Sequence, residues 1–481
     1  MPFILLLAGC SGDSFELAEG GIGGTGMTSF GEITGFGSIY VNGVHYNTDS
    51  AQVQMNAIPT DINQLGLGMV VKVEGTVDGE QGIAHSIIFA DNIQGNISTI
   101  DINTGRLQVL NHTIQCNDLT VFQGFNDLSD LHLDDSVAIS GLNTGKGLIQ
   151  AKRISLIDNL NGQVLLRGIL SDYNPNDYTA KINRQKLDFS HTGLIATSLE
   201  NGAMVVVNGK LEQQILQVTQ VNVDMLQPQV NTGQRLHLMG IVASVEATGF
   251  HLNGLAIQTT PQTQYQFGQA QDLQTGVMLN VQTTAQNDTL IAQKIIFHSN
   301  SSLRGASNQI QIQAQVLGLP DNQTLSLLGQ NLHIDLNTLF IDPQQRYFDV
   351  KKINIGDWVM IQGALDIDKQ QIIIEKLRRK PYENGAIHLR APLSEINPQQ
   401  QTLHLAGIAV YTDNNTQYHV IDDRPQHFNS WLKNTKLPVD DAQRFFQQSQ
   451  INAQVWLINK QSYQNDTPIL AEQLILFTLR N

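Results

Sequence analysis

The sequence predicts an all-β chain built from about six tandem copies of one small five-stranded antiparallel barrel of the OB-like kind. Three observations predict it. Apolar and polar residues alternate with period two over short runs. Asn-Gly and related pairs join these runs. The same ordered set of runs recurs roughly every 65–80 residues.

The hairpin is the clearest repeated element. It reads Ser38-Ile39-Tyr40-Val41-Asn42-Gly43-Val44-His45-Tyr46-Asn47-Thr48 near the start, and Phe250-His251-Leu252-Asn253-Gly254-Leu255-Ala256-Ile257-Gln258-Thr259 later. Leu403 to Thr412, Leu107 to Gln115, Leu325 to Ile334 and Tyr178 to Phe189 are further versions. Each is a period-two strand, a tight turn and a second period-two strand. A fourth strand follows about twenty residues on. It ends on glycine in Gly68-Met69-Val70-Val71-Lys72-Val73-Glu74-Gly75, and again at Gly141, Gly209 and Gly363. An Ala-centred strand such as Ile83-Ala84-His85-Ser86-Ile87-Ile88 closes each unit, and an opening strand such as Glu32-Ile33-Thr34-Gly35 begins it. Five short strands with one apolar face each hide that face most simply by curling into a barrel. A six-bladed β-propeller is the alternative, but a blade needs only four strands and a shorter period. Separate barrels strung as beads on a rod are therefore expected.

The repeats divide the chain into a leader-type segment at 1–10, a glycine-rich linker at 11–30, and β-domains at 31–94, 95–160, 161–228, 235–300, 308–380 and 386–481. The last domain carries an insertion, 425–450, that reads as helical, with Asp440 as an N-cap. Trp431, Phe445 and Phe446 give it more aromatic surface than a solvated helix needs, which marks them as candidate partner-binding residues.

The leader reads Met1-Pro2-Phe3-Ile4-Leu5-Leu6-Leu7-Ala8-Gly9-Cys10-Ser11. Leu7-Ala8-Gly9-Cys10 resembles the bacterial lipobox, in which the cysteine is acylated and a lipid replaces a membrane span. Cys10 is the expected lipid-attachment site, and Ser11 after it implies the outer membrane. The leader has no Lys or Arg before a short apolar run, and a start site further upstream would account for both features. Gly21 to Gly26 spells a literal G-x-G-x-x-G, but a β-pattern rather than a helix follows it, so it reads as spacer.

The net charge of −15 opposes phosphate backbones, so nucleic acid is excluded as a partner. Two cysteines cannot build a disulfide framework, and Cys116 in its alternating run reads as a small buried apolar residue. Asp130-Leu131-His132-Leu133-Asp134 puts three potential ligands on one strand face, and His419, Asp422, Asp423 and His427 form a looser group. Neither has metal-site spacing, and both read as solvated. Lys376-Leu377-Arg378-Arg379-Lys380, the one basic cluster, reads as a linker between repeats. No G-x-S-x-G, H-E-x-x-H, P-loop or Cys-based zinc spacing occurs, and neither a cofactor nor a metal is expected.

Gly31-Glu32-Ile33-Thr34-Gly35-Phe36-Gly37-Ser38-Ile39 and Val41-Asn42-Gly43-Val44, after the glycine-rich Gly20 to Gly26, resemble proteins built from tandem copies of the bacterial domain DUF5666. The resemblance is strongest over residues 20 to 93 and weaker through 380. It implies a secreted or lipid-anchored protein and carries over no catalytic residue. The expectation is thus a non-enzymatic, lipid-anchored lipoprotein of the bacterial cell envelope, on the outer membrane and facing the periplasm or the surface. It would act as a multi-domain binding or scaffold module for a protein partner. Glycan binding, to polysaccharide or peptidoglycan, is one alternative. A polysaccharide-active hydrolase is the other, because a carboxylate pair can be invisible in sequence.

Overall fold

The computed structural model describes residues 25–144, 147–192, 199–226, 230–286, 289–298, 309–366, 371–381, 386–397, 399–421, 453–459 and 469–478. The acylation candidate Cys10, the 425–450 insertion and its Trp431, Phe445 and Phe446 lie outside the described residues.

The first repeat shows why the sequence closes into rings. Its strands are Thr25–Phe36, Ile39–Val41, Val44–Asn47, Val70–Asp78 and Gln81–Phe89. The first pairs the second, the second the third, the third the fifth, the fifth the fourth, and the fourth returns to the first. Only the third-to-fifth pairing is parallel. That order leaves no free edge, and it is the order of an OB barrel. The first strand is long because its two halves face different neighbours: Thr25 to Glu32 pairs the fourth strand and Ile33 to Phe36 the second. Repeats two, three and four repeat the ring. In the fifth, the opening strand is broken into Gln309–Gln315 and Gly318–Asp321. In the sixth, the closing strand is broken into Ile469–Leu470 and Gln473–Thr478. The fold is thus tandem small barrels, with no propeller.

Local chemistry fixes each ring. The turn between strands two and three is left-handed at both central residues: Asn42 and Gly43 at φ 51° and 77°, Asn253 and Gly254 at 52° and 79°, Leu328 and Gly329 at 50° and 76°. These are type I′ turns, whose twist matches that of the flanking strands. Asn42 and Asn253 also reach back, their Nδ2 donating to the Phe30 and Met239 carbonyls at 2.9 and 2.8 Å.

The recurring glycine of the fourth strand marks a β-bulge. The register shifts at Glu74/Gly75, Ser140/Gly141, Asn208/Gly209 and Gln362/Gly363. A Cβ there would lie 2.1, 2.3, 2.0 and 2.1 Å from carbonyl oxygens of the fifth strand. Opposite the bulge sits the central residue of the Ala-centred strand. Its carbonyl accepts a threonine hydroxyl in four repeats: Thr120 to Ala151 at 3.0 Å, Thr263 to Ala292 at 2.8 Å, Thr338 to Ile374 at 2.7 Å and Thr416 to Ala471 at 2.8 Å. The fourth repeat carries Thr283 at the same bulge. Gly141→Ala should therefore destabilise the protein by about 1–3 kcal/mol through overpacking alone. An unchanged urea midpoint would show that close approach is not what selects glycine.

The barrels do not stand apart as beads. The first strand of repeat one pairs in parallel with the first strand of repeat four, Met27–Phe30 against Arg235–Leu238. Repeats two and three join through Ile93 and Gln94 against Leu166 and Leu165. Repeats five and six join through Gln311–Gln313 against Arg390–His388. The core of repeat four also takes in Phe30 and Val70 of repeat one and Leu142 of repeat two. The rod expected from the sequence is corrected to a cluster of barrels, because outward residues of several strands, Phe30, Val70 and Leu142 among them, are apolar and pack into the core of a neighbouring barrel. Residues 27–36 are all buried, although only alternate ones point into their own barrel.

Two local expectations are also corrected. Lys376 to Lys380 is not a linker but lies within the strand Gln371–Lys380, with Leu377 fully buried. Asp130 to Asp134 is not a strand face. Leu128–Asp130 is a 3-10 turn, and Asp134 is left-handed at φ 68°. Asp130 accepts from the Asn126 amide, and the next acid in the chain, Asp135, accepts from the His132 amide. No described helix is long and apolar enough to cross a membrane.

Candidate functional site: the junction of four barrels

The outer face of the first strand of repeat one is the centre of the cluster. Thr28, Phe30, Glu32 and Thr34 alternate along it and are 3–5% exposed. Repeat two covers it with Lys152, whose Nζ lies 2.9 Å from Glu32 Oε2, and both side chains are nearly inaccessible. A buried pair of this kind holds position because neither charge faces bulk water.

Beside the pair lies a cavity of about 70 Å³, lined by repeats one, two, four and five. Its apolar wall includes Met239, Phe267, Phe297 and Leu339, and its polar wall Glu32, Thr34, Lys152, His298, Asn337, Asp366 and Glu375. Two enclosed polar atoms on this wall have no hydrogen-bond partner: Thr34 Oγ1 and His298 Nε2. Burial, and then the nearby Lys152 ammonium, push the His298 imidazole down to about 3, so it is neutral at physiological pH. At the same junction, burial pushes the Lys376 amine down to about 8, against the pull of Asp118. Its Nζ donates to the Asp118 carbonyl of repeat two.

A second junction clamps the loop before the fourth strand of repeat one. Arg153 of repeat two donates to the Leu67 carbonyl at 2.9 Å, and Arg346 of repeat five donates to that of Leu65. Arg346 also lies over the Phe36 ring at 4.7 Å, and Tyr347 Oη donates to Asn63 Oδ1 at 2.9 Å. Gly66 leaves room for this clamp, since a Cβ would lie 2.8 Å from the Arg153 guanidinium carbon and would displace it. Burial pushes Arg153 down to about 10. Arg379 is fixed within repeat five by Asp342 and Asp357, each at 2.8 Å, so much of the basic cluster is spent on structure.

Of the residues singled out from sequence, Cys116 is a free, buried thiol in the core of repeat two, and burial pushes it up to about 12. His45 stacks on Tyr40 with ring centroids 4.4 Å apart, and its Nε2 bonds the Gly37 carbonyl. His251 and His404 hold the position of Tyr40, not of His45, in repeats four and six, opposite Ala256 and Ala409, and face Glu246 at 3.3 Å and Glu395 at 3.5 Å. Among the described residues, no three His, Cys, Asp or Glu gather where they could hold a metal ion. Sequence reasoning missed Glu32, Thr34, Lys152 and His298. Only one signal was available: Glu32 and Lys152 are charged residues inside strands, and their outward parity reads as solvated.

The family model described as a domain of unknown function, DUF5666, matches residues 94–155 and 239–296. Those stretches cover most of the second and fourth barrels, although the sequence resemblance is strongest in the first. No curated protein matches the chain in sequence. Two of the chain's repeated barrels, the second and the fourth, thus match this domain.

Proposed function

We propose that this chain is a non-enzymatic, lipid-anchored protein of the bacterial cell envelope that acts as a binding scaffold for a protein partner. The observation that carries the reading is the interlocked cluster. Lys152 of repeat two pairs with Glu32 of repeat one, and Arg153 of repeat two and Arg346 of repeat five donate to backbone carbonyls of repeat one, contacts that tie these barrels into one platform. Rigid scaffolds that present loops are suited to recognition. The aromatic insertion with Trp431, Phe445 and Phe446 falls between the strands Gln417–Ile421 and Ala453–Asn459 of the last barrel. The lipobox-like Leu7-Ala8-Gly9-Cys10 supports an anchor on the outer membrane.

Glycan binding is the second reading. The face of strands two and three is the binding face of OB barrels, and in repeat one it carries the partly exposed Tyr40–His45 stack. One experiment in cells addresses both anchor and partner. Cys10→Ser should abolish incorporation of labelled palmitate, and deleting 425–450 should abolish crosslinking to one defined partner. Palmitate labelling of the Cys10→Ser chain would sink the anchor. Undiminished crosslinking after the deletion, with a saccharide raising the melting temperature of the purified chain, would favour the glycan reading.

A further inference from the structure

We propose that the junction cavity is a binding site for a small uncharged hydroxyl ligand, ordered water or a short polyol, held between Thr34 of the first repeat and His298 of the fourth. The cavity's 70 Å³ exceeds the roughly 10–15 Å³ that one water needs, so several waters or a ligand of a few heavy atoms fit. Thr34 is 3% exposed, and its hydroxyl has no partner. His298 Nε2 is likewise enclosed and unpartnered. Folded proteins leave few such groups unsatisfied, and those that remain usually meet ordered solvent or a ligand.

The wall chemistry sets the class of ligand. Glu32 and Lys152 neutralise each other at 2.9 Å. An anion would meet the Asp366 and Glu375 carboxylates on the wall, which have partners of their own. An uncharged ligand escapes that repulsion and serves the two neutral groups left without a partner. A hydroxyl both donates and accepts, so it can serve Thr34 Oγ1 and whichever role the neutral imidazole leaves to His298 Nε2. Phe267, Phe297 and Met239 complete the site with apolar surface suited to a carbon skeleton or to a small enclosed water cluster. Four repeats supply these groups, so no single barrel forms the site.

The test uses the purified full chain with Thr34→Val and Thr34→Ser. If the cavity is occupied, Thr34→Val removes a made hydrogen bond and lowers the melting temperature by about 2–4 °C. Thr34→Ser, which keeps the hydroxyl, should recover most of that loss. A Thr34→Val chain that melts at or above the wild-type temperature would mean a dry cavity with a wasted hydroxyl, and would overturn the proposal. Crystals grown without polyol and crystals soaked in glycerol separate the two sources. Density bonded to Thr34 Oγ1 and His298 Nε2 in the first is water, and glycerol in the second is the polyol. An empty cavity in both overturns the site.

Discussion

Lys152→Met should be among the most destabilising single substitutions in the chain, at about 3–5 kcal/mol. Glu32 would keep its carboxylate in the junction, 4% exposed and without its cation. It must then stay charged in a poor environment or take up a proton, and either course costs stability. The double variant Glu32→Met, Lys152→Met should recover most of the loss, because a buried pair replaced by apolar side chains of similar volume is often neutral or better. Chemical denaturation midpoints for the two single variants and the double variant close the cycle. A loss below about 1 kcal/mol for Lys152→Met, typical of exposed pairs, would mean that water reaches the junction.

Acid should weaken the cluster, and His237 should carry a large part of the effect. His237 is 2% exposed at the seam of repeats one and four, and neither ring nitrogen has a partner. Burial, and then the Lys294 ammonium, push it down to about 4. Below pH 6.5 the unfolded chain takes up a proton there that the folded chain refuses, so stability falls as the pH falls. The loss begins near 6.5 and is complete near 4, about 3 kcal/mol for this one group. His298 adds to it down to about pH 3. Asp91, whose carboxyl burial pushes up, works in the opposite direction. Comparing the wild type with His237→Leu therefore isolates the histidine. The variant should lose less stability between pH 6.5 and 4, and at neutral pH it should be no less stable. Parallel pH profiles for the two proteins would assign the acid sensitivity elsewhere.

The parts of the fold legible in the sequence are those set by neighbours in the chain. Asn42-Gly43 and Asn253-Gly254 specify a I′ turn with only the residues beside them. Gly75, Gly141, Gly209 and Gly363 recur because the bulge recurs, and the Ala-centred strand lies opposite it. Pairing between the third and fifth strands is less legible, since in repeat one it joins segments separated by a short hairpin, a 3-10 turn and the whole fourth strand. Packing between barrels is hidden altogether. Glu32, Thr34 and Lys152 have polar chemistry at outward positions, which is also how a wet barrel face is written. Lys376 to Lys380 misleads in the same way: its charge suggests a linker, while Ile372, Ile374 and Leu377 keep the spacing of a bulged strand. The candidate cavity inherits this difficulty, because its residues come from four repeats and no local pattern unites them.

The seam between repeats one and four also sets a timetable for the nascent chain. Asn42 Nδ2 donates to the His237 carbonyl at 2.8 Å across 195 residues of sequence. The first barrel holds all five of its strands by residue 89 and can close early. Its opening strand must then wait, with Phe30 and its neighbours uncovered, until the fourth repeat has been synthesised and folded. Contacts so distant in sequence form late and slowly. Meanwhile the bare strand is a template for the fourth repeat of another copy as readily as for its own. Slow synthesis of the later repeats would lengthen that interval, so the yield of correctly joined molecules is expected to follow the rate at which residues 235–297 arrive.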